Sequence, residues 1–477
     1  MINLIFNQFV IILPELVLTL TALFFQLSAL LFSNKAKIIV NATILLSSIL
    51  LLVTFQSLHH DTIGFSNSFA SNDIINIYKA IVLFFTIITI IIYHDYCRVT
   101  NEEFKSEFIT LTLLSTLGVF IAISSRNFLL LFCSMELQAL IGYVLAGFSL
   151  NNLKSSEGAL KYFILGSLVS CLMLLGLSFI YGFGGSLNYS DILDKFNQSS
   201  QPNIGLIVGL LLFLSGIFFK LSSVPLHIWT PDVYEGSPLP SVNYFATPSK
   251  IGNVIVLINV ISLVACNYKQ ISIDLVKITA ILSMLVGAVG ATQQNSLKRL
   301  MGYSTILNIG YVLMSVSLNT PKGNQVAILY IIIYATGVTG FFACLIALLG
   351  KKSDTATFDD IKNIATSNKA LAATISIIMF SMIGIPPLAG FFGKYYVLSQ
   401  AIMQKQFMLA FVAIITSVMA TFYYLKIVKY MYFFGDSNNL QPELATSSQF
   451  NYNGLKMIGY FTIIMLLSFS FLIGFVV

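Results

Sequence analysis

GIFFKLSSVPLHIWTPDVYEGSPLPSVNYFATPSK, running from Gly216 to Lys250, is the stretch that decides the fold. An apolar run carries Lys220 and is interrupted by Pro225, with His227 just after it. A polar turn from Thr230 to Ser237 holds Asp232 and Glu235, and a second apolar segment reaches Lys250. Inside a bilayer, a proline is tolerated only where the backbone groups it frees find partners in protein or around water. A lysine at that depth is costly and marks a functional site by default. A broken helix with buried cations beside the break describes an ion path.

Around this stretch the chain is almost uniformly apolar. Of 477 residues, 57% are hydrophobic and 9% charged, and the mean hydropathy is +0.88. A soluble domain carries about 25% charged residues, so the sequence specifies an all-α polytopic membrane protein. Its 25 bases and 19 acids are too few to clothe a globular surface. The net charge of +6 reflects membrane topology, because the basic residues form no face of the kind nucleic acid requires. Cys97, Cys133, Cys171, Cys266 and Cys344 are scattered without any CxxC pair, so no zinc or iron–sulfur framework is legible. The N-terminal segment has no basic region and no small-residue cleavage site and is expected to be a retained first helix. Neither GxGxxG nor GxxxxGK[ST] occurs. The chain itself reads as redox-inert and free of bound nucleotide, flavin, haem or metal.

A span needs about 20 apolar residues. That length predicts about 14 transmembrane helices, near 9–32, 37–58, 73–95, 107–124, 127–148, 157–181, 204–229, 239–265, 274–293, 297–317, 323–349, 370–402, 407–434 and 456–476. The seventh is broken at Pro225 and the twelfth at Pro386–Pro387. The connections near 182–203, 350–369 and 435–455 are the longest, and none could hold a water-soluble domain. Basic residues set orientation. Loops on the N-terminal side hold five, Arg126, Lys195, Lys269, Lys322 and Lys405, against thirteen on the other, from Lys35 to Lys456. Both termini are therefore expected outside, away from the cytoplasm or matrix.

Spans seven and twelve are five helices apart, and each joins a proline break to a lysine beside a Phe-Phe pair: Phe218–Phe219–Lys220 and Phe391–Phe392–Gly393–Lys394. An odd offset reverses direction in the membrane. Interrupted segments at corresponding places in two halves point to inverted-topology repeats. The expected organisation is three N-terminal helices in 1–106, a first five-helix repeat in 107–265, a second, inverted one in 266–434, and a last helix in 435–477.

Five charges lie well inside apolar spans: Glu136, Lys161, Lys220, Lys250 and Lys394. A mid-membrane charge costs about 2.5–3.5 kcal/mol even on insertion scales. A plain structural reading pairs Glu136 with Lys161 as a fixed ion bridge, but four lysines cannot share one carboxylate. A lysine buried in low dielectric can exist neutral or charged, and a carboxylate beside it favours the charged form. Movement of Glu136 toward or away from Lys161 would then load or unload a proton. His227 titrates near neutrality and suits a relay between Lys220 and Lys250; its plain reading is a hydrogen-bonded helix-end histidine. Lys79, Lys277 and Lys426 are expected to snorkel to the headgroups, and Glu15 to be structural or interfacial. His59 and His60 read as solvated loop residues. The abundant Phe and Tyr read as membrane packing and interfacial belts.

The run PLHIWTPDVYEGSPLPSVNYFATPSK from Pro225 resembles the signature region of the NADH-quinone oxidoreductase subunit N family, whose mitochondrial counterpart is NADH dehydrogenase subunit 2. SMELQALIGYVLAGF, with Glu136, resembles that family's fifth helix, and SSEGALKYFILGSLVSCLMLLGLSFIYGFGGSL, with Lys161, its sixth. GIPPLAGFFGKYYVL, with Lys394, resembles its broken twelfth helix. The likeness runs from about the fourth to the thirteenth span. A lysine at 394 separates the chain from the sister subunit M, which carries a glutamate there. The resemblance implies a membrane-arm subunit of respiratory complex I with an antiporter-like fold. It further implies that Glu136, Lys161, Lys220, His227, Lys250 and Lys394 lie on the proton path. NADH, FMN, iron–sulfur clusters and quinone would bind partner subunits, and the other membrane-arm subunits and the lipid bilayer would be this chain's partners. A subunit of a sodium/proton antiporter remains the alternative, and a scaffold whose charges only join helices a third. The bacterial inner membrane is the expected location, with the mitochondrial inner membrane as alternative.

Overall fold

The computed structural model describes residues 11–31, 62–149, 152–198, 203–264, 269–433 and 453–476. The expected second span, His59, His60 and Cys266 lie outside them. Helix α1 (Leu13–Leu31) is followed by an antiparallel hairpin, β1 (Thr62–Gly64) and β2 (Phe69–Ser71). Three residues at its tip, Phe65, Ser66 and Asn67, adopt left-handed backbone. Then come α2 (Asp73–Thr100), α3 (Ser106–Ser124), α4 (Phe128–Ala146), α5 (Leu153–Gly184) and the short α6 (Tyr189–Gln198). Asn72, Asn127 and Asn152 start three of these helices by accepting backbone N–H bonds on their side chains, which satisfies donors that hydrocarbon could not.

The seventh expected span is α7 (Ile204–Leu221), a turn, and α8 (Trp229–Gly236). The helix stops before the apolar run does. Ser222 takes φ 63 and its N–H caps the Phe218 and Phe219 carbonyls, a left-handed helix end with proline shortly beyond it. The eighth expected span is also broken, into α9 (Leu239–Ala246) and α10 (Pro248–Val264). Pro248 forces this break, because the residue before a proline is driven out of helical backbone and Thr247 sits at φ -119, ψ -86. Beyond lie α11 (Lys269–Thr292), α12 (Leu297–Val316) and α13 (Pro321–Leu349). The twelfth span is α14 (Lys369–Ile383) and α15 (Ala389–Met403), parted as expected around Pro386–Pro387, with Gly384 at φ 96 closing α14. Helices α16 (Phe407–Phe433) and α17 (Asn453–Val476) end the described chain.

Among the described residues nine helical segments are long and apolar enough to cross a membrane, with α9 and α10 counted together as Leu239–Ser262, and shorter apolar ones cover Leu13–Leu27, Lys369–Ile383 and Gly454–Phe469. Helix α13 is the centre: 94% of its apolar window is buried, against 33% for α5 at the edge. Packing follows a repeating scheme. Helix α3 packs on α4, α4 on α5, α5 on α7, and α10 on both α3 and α7. Five spans later α11 packs on α12, α12 on α13, α13 on α14 and α15, and α16 on both α11 and α14.

Candidate functional site

At the first break the C-terminal end of α7 meets the first turn of α10. Lys250 is 1% exposed. Its Nζ donates to the Lys220 carbonyl at 2.7 Å and to Ser222 Oγ at 2.5 Å. The last carbonyls of a helix carry its negative dipole end, and the Lys250 amine is seated against that end of α7. Thr230 Oγ1 donates to the same Ser222 Oγ at 2.6 Å. Trp229, whose indole donates to the Phe219 carbonyl at 3.1 Å, lays its ring 5.2 Å from Lys250 Nζ. The Val224 N–H donates to Ser283 Oγ of α11 at 2.9 Å, which ties the break to the second half of the chain.

Lys220 is buried on the last turn of α7, and among the described residues its Nζ has no hydrogen-bond partner. It lies 6.0 Å from the Tyr143 ring. Isolated buried charge costs several kcal/mol, so this amine is held where a change of charge has the largest consequence.

The second break repeats the arrangement. Lys394 on α15 donates to the carbonyl of Ile383, the last residue of α14, at 2.9 Å, and to Ser417 Oγ at 3.2 Å. The Tyr311 ring lies 5.7 Å away. Both breaks thus offer helix-end carbonyls to a lysine and support it with a serine.

Glu136 and Lys161 do not form an ion pair. Glu136 is half-buried on α4 and accepts from Ser170 Oγ at 2.5 Å. Lys161 lies nine residues before Ser170 on α5, about 13 Å along the axis, and a helical side chain leans further toward its N-terminus. It therefore reaches Glu157 and Asp232, each at 2.8 Å, and is 44% exposed. Asp232 is shared with Arg299 at 3.1 Å, Arg299 also holds Glu235 at 3.0 Å, and Lys154 holds Glu235 at 2.9 Å. These six side chains line an open cavity of about 250 Å³. Burial pushes the Glu235 carboxyl up, but the hydrogen bonds from Lys154 and Arg299 outweigh it and hold the group below the usual carboxylate range.

His227 sits on the turn, half-buried, with a ring nitrogen 3.3 Å from the Pro225 carbonyl. The direct link between Lys220 and Lys250 runs through the backbone carbonyl and Ser222, a residue the sequence reading passed over. Lys79 does not snorkel. It is fully buried, its Nζ is 2.6 Å from Glu15 Oε1, and the Phe69 ring lies 5.4 Å away; α1 and the hairpin cover it two turns into α2. Lys277 lies 3.7 Å from Asp274, and Lys426 lies over the Phe358 ring at 4.2 Å. Among the described residues no three His, Cys, Asp or Glu side chains gather as a metal site.

Residues 125–420 match the family described as "NADH:quinone oxidoreductase/Mrp antiporter, TM". NADH-quinone oxidoreductase subunit N of Rickettsia felis is 59% identical over 92% of this chain and 94% of its own length. A chain of respiratory complex I from Thermus thermophilus, solved with bound aureothin, superposes with a TM-score of 0.78 at 25% identity over 97% of both chains. A chain of the Mrp complex from a Dietzia species shares the fold, with a TM-score of 0.77 at 17% identity over 96% of this chain and 94% of its own. With proline-broken helices each presenting carbonyls to a lysine, and with relatives this similar across nearly its whole length, the chain belongs to the NADH-quinone oxidoreductase subunit N family.

Proposed function

We propose that this chain is a proton-translocating subunit of the membrane arm of a bacterial NADH:quinone oxidoreductase, and that protons step through its buried lysines. The observation that carries this reading is the pair of lysine sites, Lys250 on the end of α7 and Lys394 on the end of α14. A fixed structural cation needs a carboxylate partner in low dielectric. These two rest on neutral carbonyls and hydroxyls, groups that also suit an uncharged amine. Glu136, half-buried between α4 and the edge helix α5, is the group through which a signal reaches Lys220. Lys161, in its open ionic cavity, is where protons are taken up from the inner side, and His227 on the exposed turn serves the same first break. The recurrence of helix neighbours at an offset of five supports two inverted repeats, one for each break.

NADH, FMN, iron–sulfur clusters and quinone act in partner subunits, and the other membrane-arm subunits cover this chain's exposed apolar faces. Both termini lie on the outer side of the inner membrane. Mildly solubilised membranes run on a native gel test the assignment. Co-migration of this chain with a very large band that oxidises NADH supports it. Migration in a smaller band without that activity, with sodium/proton counterflow in vesicles lacking NADH, favours the antiporter alternative.

A further inference from the structure

At the other end of α4 from the ionic cavity, the turn between α3 and α4 is held from two sides. The Arg126 N–H donates to the Ser68 carbonyl of the hairpin at 2.8 Å, and the Arg126 carbonyl accepts from the Tyr189 N–H of α6 at 2.9 Å. Ser125 pairs with Phe69 and Asn127 with Asn188, each as an antiparallel bridge, and the Asn127 amide donates to Asn188 Oδ1 at 2.7 Å. Beside this fixed turn lies a cavity of about 600 Å³, walled by the starts of α2 and α13, the ends of α3 and α10, the hairpin and α6. Small-molecule sites span about 300–1,000 Å³ and are mostly apolar with a few placed polar groups. Here Ile75, Tyr78, Ile255, Ile258 and Ile328 supply the apolar wall. Tyr78 lies six residues beyond Asn72, about 9 Å further along α2, so the cavity reaches from the membrane surface toward the hydrocarbon. Ile63 and Ile74, 53% and 58% exposed, also line it and carry its apolar character out to the surface. Two polar groups stand out. Ser124 is 1% exposed and lines the cavity, and among the described residues its Oγ has no hydrogen-bond partner. Arg126 is exposed and is the single charged residue of the lining; no Asp or Glu joins it.

We propose that this cavity binds one anionic phospholipid of the outer leaflet, with its phosphate on Arg126, an ester or glycerol oxygen accepting from Ser124, and the upper part of one acyl chain along Ile75, Tyr78, Ile255 and Ile258. A guanidinium matches phosphate with two parallel hydrogen bonds. A buried hydroxyl left without a partner is costly, and a lipid oxygen satisfies it. The apolar wall sets the lipid apart from a free phosphate, which would leave that wall uncovered. The lone cation sets an anionic headgroup apart from a zwitterionic one, whose ammonium finds no carboxylate on the lining. The leaflet follows from the membrane orientation given above; the site itself is independent of the lysine reading.

The test uses the assembled complex in phosphatidylcholine proteoliposomes containing a trace of phosphatidylglycerol with a photoreactive group on one acyl chain. After illumination, labelled peptides of this chain are read by mass spectrometry, a measurement that does not depend on pumping. Native complex is expected to carry label near Tyr78 on α2 and near Ile255 on α10. Excess unlabelled phosphatidylglycerol should remove that label, and inorganic phosphate should not. Arg126→Gln takes away a charge-assisted hydrogen bond and is expected to lower the label about tenfold. Lys322→Gln, at the start of α13 but outside the lining, should leave it unchanged. Ile258→Trp fills the cavity with Arg126 intact and should abolish the label; it decides the matter if Arg126→Gln fails to assemble. Equal labelling by a phosphatidylcholine probe, or native labelling in Arg126→Gln or Ile258→Trp, overturns the site in favour of unselective bilayer contact. Absence of label at both stretches of native complex overturns it as well, and removal by inorganic phosphate replaces the lipid with a soluble anion.

Discussion

Replacing Ser222 by alanine probes the junction between Lys220 and Lys250. The Ser222 hydroxyl oxygen accepts from Lys250 Nζ at 2.5 Å and from Thr230 Oγ1 at 2.6 Å, in a fully buried position. Serine and alanine carry the same Cβ, so the left-handed backbone at φ 63 is equally strained in both. The substitution removes one hydrogen bond from a charged donor, about 1.5–3 kcal/mol, and leaves the Thr230 hydroxyl without that acceptor. At about 1.4 kcal/mol per factor of ten, the first loss alone lowers the population of charged, seated Lys250 by about 10- to 100-fold. The assay is protons moved per NADH in membrane vesicles, normalised to assembled complex on a native gel. The expected result is normal assembly with pumping reduced by about tenfold or more. Ser222→Gly sharpens the test: it relieves about 1–2 kcal/mol of left-handed strain yet also lacks the hydroxyl. It should assemble at least as well and pump as poorly. Native pumping in either variant, at native levels of complex, refutes a working role for the Ser222 link.

The buried Glu15–Lys79 pair predicts non-additive stability: Glu15→Gln alone costs about 3–5 kcal/mol, and adding Lys79→Met recovers most of it, as read by thermal inactivation of the purified complex. Gly390 packs so tightly on the Ser381 carbonyl that an added Cβ would overlap it. Gly390→Ala is thus expected to cost about 3 kcal/mol and to deplete assembled complex on a native gel. Glu235 titrates below its ordinary value, so its contribution to stability is complete above the unfolded carboxyl value of about 4.3 and disappears as pH falls through the folded one. The melting temperature should drop on acidification below that value, and Glu235→Gln should flatten that part of the profile.

Lys220 and Lys394 were legible from sequence because proline, phenylalanine pairs and the cost of membrane burial converge on them, and the breaks they flank are where Pro225 and Pro386–Pro387 foretold. The end of α7 was not legible. Ser222 terminates the helix from within an apolar run, and its value lies in Lys250, 28 residues on. Thr247 was missed as a second break although Pro248 announces it, since the hydrophobic run continues across. Lys161 looked deep because its neighbours are apolar, but α8 folds Asp232 back onto it and places it in an ionic cavity. The Glu15–Lys79 pair joins residues 64 apart (79 minus 15), which no local pattern encodes.

Lys220→Ala in the assembled complex, with protons translocated per electron pair as the readout, bears most directly on whether the buried lysines carry protons. The buried amine at the end of α7, without a hydrogen-bond partner among the described residues, predicts a ratio clearly below native at an unchanged amount of complex. A native ratio would contradict proton passage through Lys220 and leave the intramembrane charges as helix-joining elements.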